Sequence, residues 1–137
     1  MLDMIDSLLS IGQKLFGFRE TLATAKRQRK ADVSDFLSTI ATCIEETSAL
    51  LAQGQYPGGK CQELLFHSQH MEQAIGDLIG SRQAQDLGSQ LAEVHQIEML
   101  HAKLSQSPAD ERVRRLSVLD QSAGLIRATA AFVKVSP

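Results

Sequence analysis

The sequence predicts an all-α fold, an antiparallel bundle of four to five helices in a single domain over residues 1–137. Apolar residues recur with a period close to 3.6 along almost the whole chain, and no stretch alternates apolar and polar residues as a half-buried strand would. The three prolines stand at positions 57, 108 and 137, which leaves long segments without a helix breaker. Apolar side chains make up 43% of 137 residues, enough for one hydrophobic core.

Recognisable breaks separate the predicted helices. The glycine-rich segment 53–59 lies between the second and the third helix, and Gly80 closes the third. Ser107 as N-cap and Pro108 at the first helical position begin the last helix. The predicted helices run over residues 2–28, 32–53, 59–80, 83–105 and 109–134.

The boundary between the first two helices is predicted from length. No glycine or proline occurs between Phe18 and Gly54, and one helix over those 35 residues would be about 50 Å long. The later helices are about 33–39 Å long, so such a helix would leave apolar surface unpacked. Arg29 also stands where the first helix needs its next apolar residue. We therefore place the break near residues 29–31, with Asp32 as the next N-cap.

The first 18 residues are predicted to form a helix with a wide apolar surface. On a helical wheel its apolar side chains fill about 200°, and a helix that only faces a core needs little more than half of that. Two explanations stay open. The helix is wedged between two others and covered on both flanks, or its apolar surface can leave the bundle and enter a membrane interface or a partner.

Basic residues follow this helix. Residues 1–31 carry six basic and three acidic side chains, and the rest of the chain carries eight basic and thirteen acidic ones. This polarity suits docking to anionic lipid, although Asp3 and Asp6 on the polar face argue against a simple cationic membrane anchor. The alternative is a solvated helix end whose cations complement the helix dipole.

Composition and motifs exclude several functional classes. A net charge of −2 and an aromatic content of 4% without tryptophan argue against nucleic-acid binding. No nucleophile, base and orienting residue can be grouped, so we expect no enzymatic activity and no cofactor. Residues 54–60 match the glycine and lysine spacing of a phosphate loop, but Cys61 replaces the required Ser or Thr and a helix precedes the segment.

Histidines and cysteines give no strong site. A zinc ion among His67, His70 and His95 is conceivable, but we expect exposed or capping histidines and no metal. Cys43 and Cys61 are too few for a disulfide framework, and we expect two buried or half-buried thiols in a reducing, cytoplasmic setting.

The segment LLSIGQKL at residues 8–15, the basic run KRQRK at 26–30 and a long second helix resemble the start of the HeLo-like cell-death bundles. That group includes the fungal HeLo and HELL domains, the N-terminal bundle of the mixed-lineage kinase-like necroptosis pseudokinase and the bacterial Bell domains. The likeness covers about residues 1–50, and beyond them only the helical layout and the length agree. Asp3 and Asp6 interrupt a helix that is more uniformly apolar in many relatives. Bacterial members usually continue into an amyloid-signalling motif or a larger protein, which leaves open that this is a domain of a longer chain.

The resemblance implies a membrane-targeting effector of bacterial cell death or antiphage defence. Such a domain rests in the cytoplasm, oligomerises when an upstream sensor or receptor signals, and permeabilises the inner face of the plasma membrane through its first helix. Its partners would be anionic lipids and further copies of itself. The alternative is a non-catalytic helical adaptor of a bacterial signalling or conflict system. The resemblance makes Leu2, Met4, Ile5, Leu8, Leu9, Ile11, Leu15 and Phe16 the insertion residues, and Lys14, Lys26, Arg27, Arg29 and Lys30 the lipid head-group contacts.

Overall fold

The computed structural model describes the backbone of residues 4–93 and 97–137, and the side chains of residues 5–93 and 101–137. Over these residues the chain forms seven helices and no strand, which confirms the all-α fold class. The helices are α1 (Met4–Gly17), α2 (Arg19–Leu22), α3 (Arg27–Ala52), α4 (Gly58–Ile79), α5 (Ser81–Leu91), α6 (Ile97–Gln106) and α7 (Ala109–Val135).

The predicted break near residues 29–31 is wrong. The chain leaves α1 at Gly17, makes the short helix α2 and turns at residues 23–26, so that α3 begins at Arg27. The basic run therefore starts a helix instead of ending one, a position that the helix dipole disfavours for cations.

Two acceptor sites on other helices compensate for this unfavourable placement. Arg29 pairs with Asp77 and donates a 2.7 Å hydrogen bond to the carbonyl of Ala74, both on α4. The ammonium group of Lys30 donates to the carbonyl oxygens of Ser136 and Pro137 at 3.0 and 2.6 Å, at the negative end of the α7 dipole. Arg29 thus occupies an apolar position of the helical pattern because its guanidinium has partners across the helix interface.

The later boundaries agree better with prediction. The third and fifth predicted helices match α4 and α7 to within one residue at each end. The predicted helix over 83–105 is divided into α5 and α6, and residues 94–96 between them lie outside the description. The predicted N-cap at Ser107 is wrong, because Pro108 holds that position and the Ser107 hydroxyl donates to the carbonyl of Lys103 at 2.7 Å.

The bundle is organised around α7. α1 and α3 pack against α7, and α4 packs against α5 and α3. The Ser122 hydroxyl donates to the carbonyl of Leu8 at 2.5 Å, and the Ser34 hydroxyl donates to the carbonyl of Ala130 at 3.0 Å. The largest fully buried side chains come from five of the helices and form one core: Ile5, Leu8, Ile11, Leu15, Leu22, Leu37, Ile40, Ile44, Leu64, Met71, Ile75 and Leu87.

Two helix crossings need glycine. A Cβ atom on Gly12 would lie 2.9 Å from the backbone oxygen of Ser122, and one on Gly88 would lie 2.7 Å from that of Ser68. These contacts bring α1 close to α7 and α5 close to α4. Any side chain at either glycine would push the two backbones apart.

Candidate functional site

The first helix contributes to the core. Ile5, Leu8, Ile11 and Leu15 each expose 1% of their surface or less, between α7 on one side and α5 on the other. Four of the eight predicted insertion residues are therefore buried in the closed bundle. Leu2 and the side chain of Met4 lie outside the described residues.

The remaining two predicted insertion residues lie on the outer flank of α1. Leu9 and Phe16 are half-buried, so the bundle covers this flank only in part. The Arg19 guanidinium lies 4.3 Å from the centre of the Phe16 ring and 5.8 Å from that of the Phe132 ring on α7. A cation between two rings joins α1 and α7 into one continuous surface.

A polar contact holds the other flank of α1 to α5. The Gln90 amide nitrogen donates to the carbonyl of Ser7 at 3.2 Å, and the Gln90 amide oxygen accepts from the ammonium of Lys14 at 3.1 Å. The Ser7 hydroxyl also contacts the carboxylate of Glu93 at 3.4 Å. Lys14, a predicted lipid contact, therefore faces α5, and the sequence pattern gave no sign that Gln90 would bind α1.

The four remaining predicted lipid contacts differ in their availability. Lys26 and Arg27 are exposed, Arg29 is half-buried against α4, and Lys30 is 9% exposed. Arg27 and Lys30 line a cleft of about 530 Å³ at the end of α7, together with Lys134. Sequence reasoning missed Lys134. Antiparallel pairing of the second and last predicted helices would have placed it opposite the basic run.

A second cleft, between α3 and α4, is lined by Glu46 and Glu63, the two carboxylates that bind the lysine of the glycine-rich segment. The Lys60 ammonium binds the carboxylates of Glu46 at 2.5 Å and Glu63 at 2.9 Å, and these bonds hold its pKa above the ordinary value. Lys60 is therefore paired with two carboxylates of the chain itself. Cys43 and Cys61 are both free and buried, as expected, and burial followed by the charge of Glu63 raises the pKa of Cys43 to about 12.

The histidines take structural positions where they are described. His67 packs edge-on against Phe36 and Phe66, and burial lowers its pKa. The His70 ring nitrogen lies 2.9 Å from the carbonyl of Phe66. His95 lies outside the described residues, and within them no three His, Cys, Asp or Glu side chains converge as metal ligands would.

None of the helices in the described part of the chain combines the length and the apolar character that crossing a membrane requires. Comparisons with protein-family models, with curated proteins and with solved structures gave no match.

Proposed function

We propose that this chain is a membrane-targeting effector domain of the HeLo-like kind that acts in cell death or antiphage defence. It rests in the cytoplasm as a closed bundle and oligomerises when an upstream sensor or receptor signals. At the inner face of the plasma membrane it then permeabilises the bilayer through α1. The observation that carries the proposal is that one short helix has both a core face and a partly exposed apolar flank.

The core face of α1 sets the free-energy cost of moving this helix from the closed bundle into a membrane. The four fully buried side chains stabilise the closed bundle by about 1.5–3 kcal/mol each, or about 6–12 kcal/mol together. Release into water would forfeit that energy. Release into a bilayer interface would recover most of it, because the same apolar surface is removed from water there. The membrane itself therefore supplies the differential affinity that a two-state switch requires.

The length of α1 limits how it acts. Its 14 residues make a helix of about 21 Å, shorter than a hydrocarbon core of about 30 Å. An interfacial position in the plane of the membrane fits this length. Several copies inserted side by side would then disturb the bilayer, which is consistent with oligomerisation before permeabilisation.

The basic run at residues 26–30 also supports a position of α1 at the membrane surface. Lys26 and Arg27 are exposed directly after the turn that follows α2, and Arg27 shares its cleft with Lys30 and Lys134. Cations near an anionic membrane surface contribute about 1 kcal/mol each. Arg29 would act as a lipid contact only after it leaves Asp77, since the two are paired in the closed bundle.

Dye release from phosphatidylglycerol vesicles tests the proposal. The change is Leu9→Asp, and the matched control is Gln13→Asp, which adds the same charge to the exposed polar face of the same helix. Leu8→Asp and deletion of residues 1–17 are unsuitable, because both remove core side chains and would unfold the bundle.

We expect the unaltered chain and Gln13→Asp to release dye and Leu9→Asp to fail. Gln90→Ala removes the polar contact between α1 and α5 and should accelerate release. Chemical cross-linking in the same samples should show oligomers only with vesicles. Absence of release by the unaltered chain at every concentration, or equal release by Leu9→Asp and Gln13→Asp, would refute the proposal.

A second candidate, the helical adaptor, is favoured by a different surface. Phe66 on α4 is 56% exposed, and its ring lies 4.2 Å from that of His70 between centroids. An exposed aromatic ring of this kind commonly anchors a protein partner. This function predicts a stable heteromeric complex that Phe66→Ala disrupts, with no effect of the chain on vesicles.

A further inference from the structure

The cleft of about 530 Å³ at the end of α7 gathers positive charge. We call it the basic cleft, and its lining residues are Ala25, Arg27, Lys30, Ala31, Lys134, Ser136 and Pro137. Three of these seven residues are cationic and none is acidic. A cleft of this volume is large enough to hold a small molecule or a head group.

Lys30 is the buried cation of the basic cleft. It exposes only 9% of its surface, and its ammonium donates to the backbone oxygens of Ser136 and Pro137 at 3.0 and 2.6 Å. An ammonium with three N–H groups keeps one donor for a further acceptor. Lys30 is therefore held in a fixed position at the base of the cleft by the backbone of the chain.

Arg27 and Lys134 are the two available cations. Both are exposed, and within the described part of the chain neither side chain has a hydrogen bond or an ion pair. Arg29 and Arg127, on the same two helices, are each paired with a carboxylate. Even with the charge of Lys30 directed at backbone oxygens, two uncompensated cations from different helices remain in one cleft.

The acidic residues closest in sequence do not line the basic cleft. Glu20 lies on α2, and Asp32 lies about 140° around α3 from Arg27, at about 100° per residue. Asp35 lines the separate cleft between α3 and α4. Residues 121–137, on the α7 side, contain no Asp or Glu. The lining itself therefore carries no acidic side chain that balances its cations.

The start of α3 adds to this positive charge. α3 begins at Arg27 with no acidic residue in its first turn and no side chain that caps its N-terminus. The free N–H groups at a helix N-terminus are equivalent to about half a positive charge. Arg27 and Lys30 thus add cations where the helix dipole disfavours them. Conflicts of this kind between local rules occur mainly at functional sites.

We propose that the basic cleft binds a phosphomonoester group. At neutral pH this group carries a charge of about −1.5 to −2, which matches the two uncompensated cations. The Arg27 guanidinium suits a bidentate contact with two phosphate oxygens, and Lys134 supplies a point charge. Soluble phosphorylated metabolites and the head group of phosphatidic acid both carry this group. The inference rests on the proposed function only where the phosphate belongs to a lipid.

Amide NMR titration of the full chain with glycerol 3-phosphate tests the inference, with uncharged glycerol as the reference ligand. Arg27→Gln and Lys134→Gln each remove one cation at an exposed position, and Lys103→Gln, at an exposed position of α6, is the matched control. Sedimentation with phosphatidylcholine vesicles, with and without phosphatidic acid, tests the same group on a lipid. Dye release is recorded in these vesicles, and circular dichroism checks that each variant is folded.

We expect glycerol 3-phosphate, and not glycerol, to shift the amide signals of residues 27–30 and 134–136. Its affinity should fall at least about fivefold in Arg27→Gln and in Lys134→Gln and stay unchanged in Lys103→Gln. Binding to phosphatidic acid vesicles alone, with the same loss in the two variants, would also support the inference and assign the phosphate to a lipid.

Binding of either ligand without dye release would support the inference and refute permeabilisation. The inference is overturned if neither glycerol 3-phosphate nor phosphatidic acid vesicles bind. It is also overturned if Arg27→Gln and Lys134→Gln bind as well as Lys103→Gln, since the cations of the basic cleft would then play no part.

Discussion

Gly12→Ala tests the packing that keeps α1 in the bundle. The new Cβ would lie 2.9 Å from the Ser122 carbonyl oxygen and 3.3 Å from its Cα and Oγ atoms, so the two backbones must separate. Forcing one methyl group into a packed interface costs about 1–3 kcal/mol. Alanine also favours the helix over glycine by about 1 kcal/mol, which partly hides that cost. Gly124→Ala is the matched control, because a Cβ there has no atom within 4 Å.

The difference in the free energy of unfolding between the two variants isolates the steric cost at the α1–α7 contact, since the gain in helix propensity is common to both. Urea unfolding should give Gly124→Ala a higher free energy of unfolding than the unaltered chain, by about 0.5–1 kcal/mol. Gly12→Ala should be less stable than Gly124→Ala by about 1–3 kcal/mol. It should also release dye faster from anionic vesicles, because α1 is held less tightly. Equal stabilities of the two variants would show that α1 and α7 are not in close backbone contact.

Three further predictions concern other parts of the bundle. Burial lowers the pKa of His67 from its ordinary value of 6.5, so the unfolded chain binds a proton at a higher pH than the folded chain does. The contribution of neutral His67 to the free energy of unfolding is therefore complete above about pH 6.5 and is lost as the pH falls. The melting temperature of His67→Gln should therefore fall less between pH 7 and pH 5 than that of the unaltered chain, and equal slopes would contradict this. Since the pKa of Cys43 is about 12, iodoacetamide at pH 8 should label it only after unfolding, as mass spectrometry can show; labelling of the native chain would contradict its burial. Asp77→Asn should loosen the start of α3 and raise amide exchange around Arg29, and unchanged exchange would mean that the ion pair contributes nothing.

The sequence determined the helices best where glycine and proline mark their ends. α4 begins within the glycine-rich segment and α7 begins directly after Pro108, and the bounds of both were predicted to within one residue. The turn at residues 23–26 contains neither residue type, so local signals could not locate it. Because Arg29 interrupts an apolar stripe, the sequence predicts a helix end near this residue. Its partners, Asp77 and the Ala74 carbonyl, lie more than 40 residues away and could not be read locally.

The candidate site was likewise predicted only in part. Amphipathicity identified α1 as a helix with two apolar flanks, and the structure buries one face of it while leaving Leu9 and Phe16 half-covered. Lys134 and Gln90 were missed because their roles depend on which helices are neighbours. Periodicity within a helix shows which face is apolar, but it does not show what covers that face.

A covalent lock on α1 tests the central claim most directly. Gln90→Glu places a carboxylate where the Gln90 amide oxygen accepts from the Lys14 ammonium at 3.1 Å, so that a carbodiimide can join the two side chains through an amide bond and fix α1 to α5. Intact mass and peptide mapping confirm that the bond has formed, and the unaltered chain treated in the same way is the control. The account predicts that the locked protein fails to release dye from phosphatidylglycerol vesicles and that the treated control releases it. Equal release by the two would show that α1 does not leave the bundle to permeabilise the membrane.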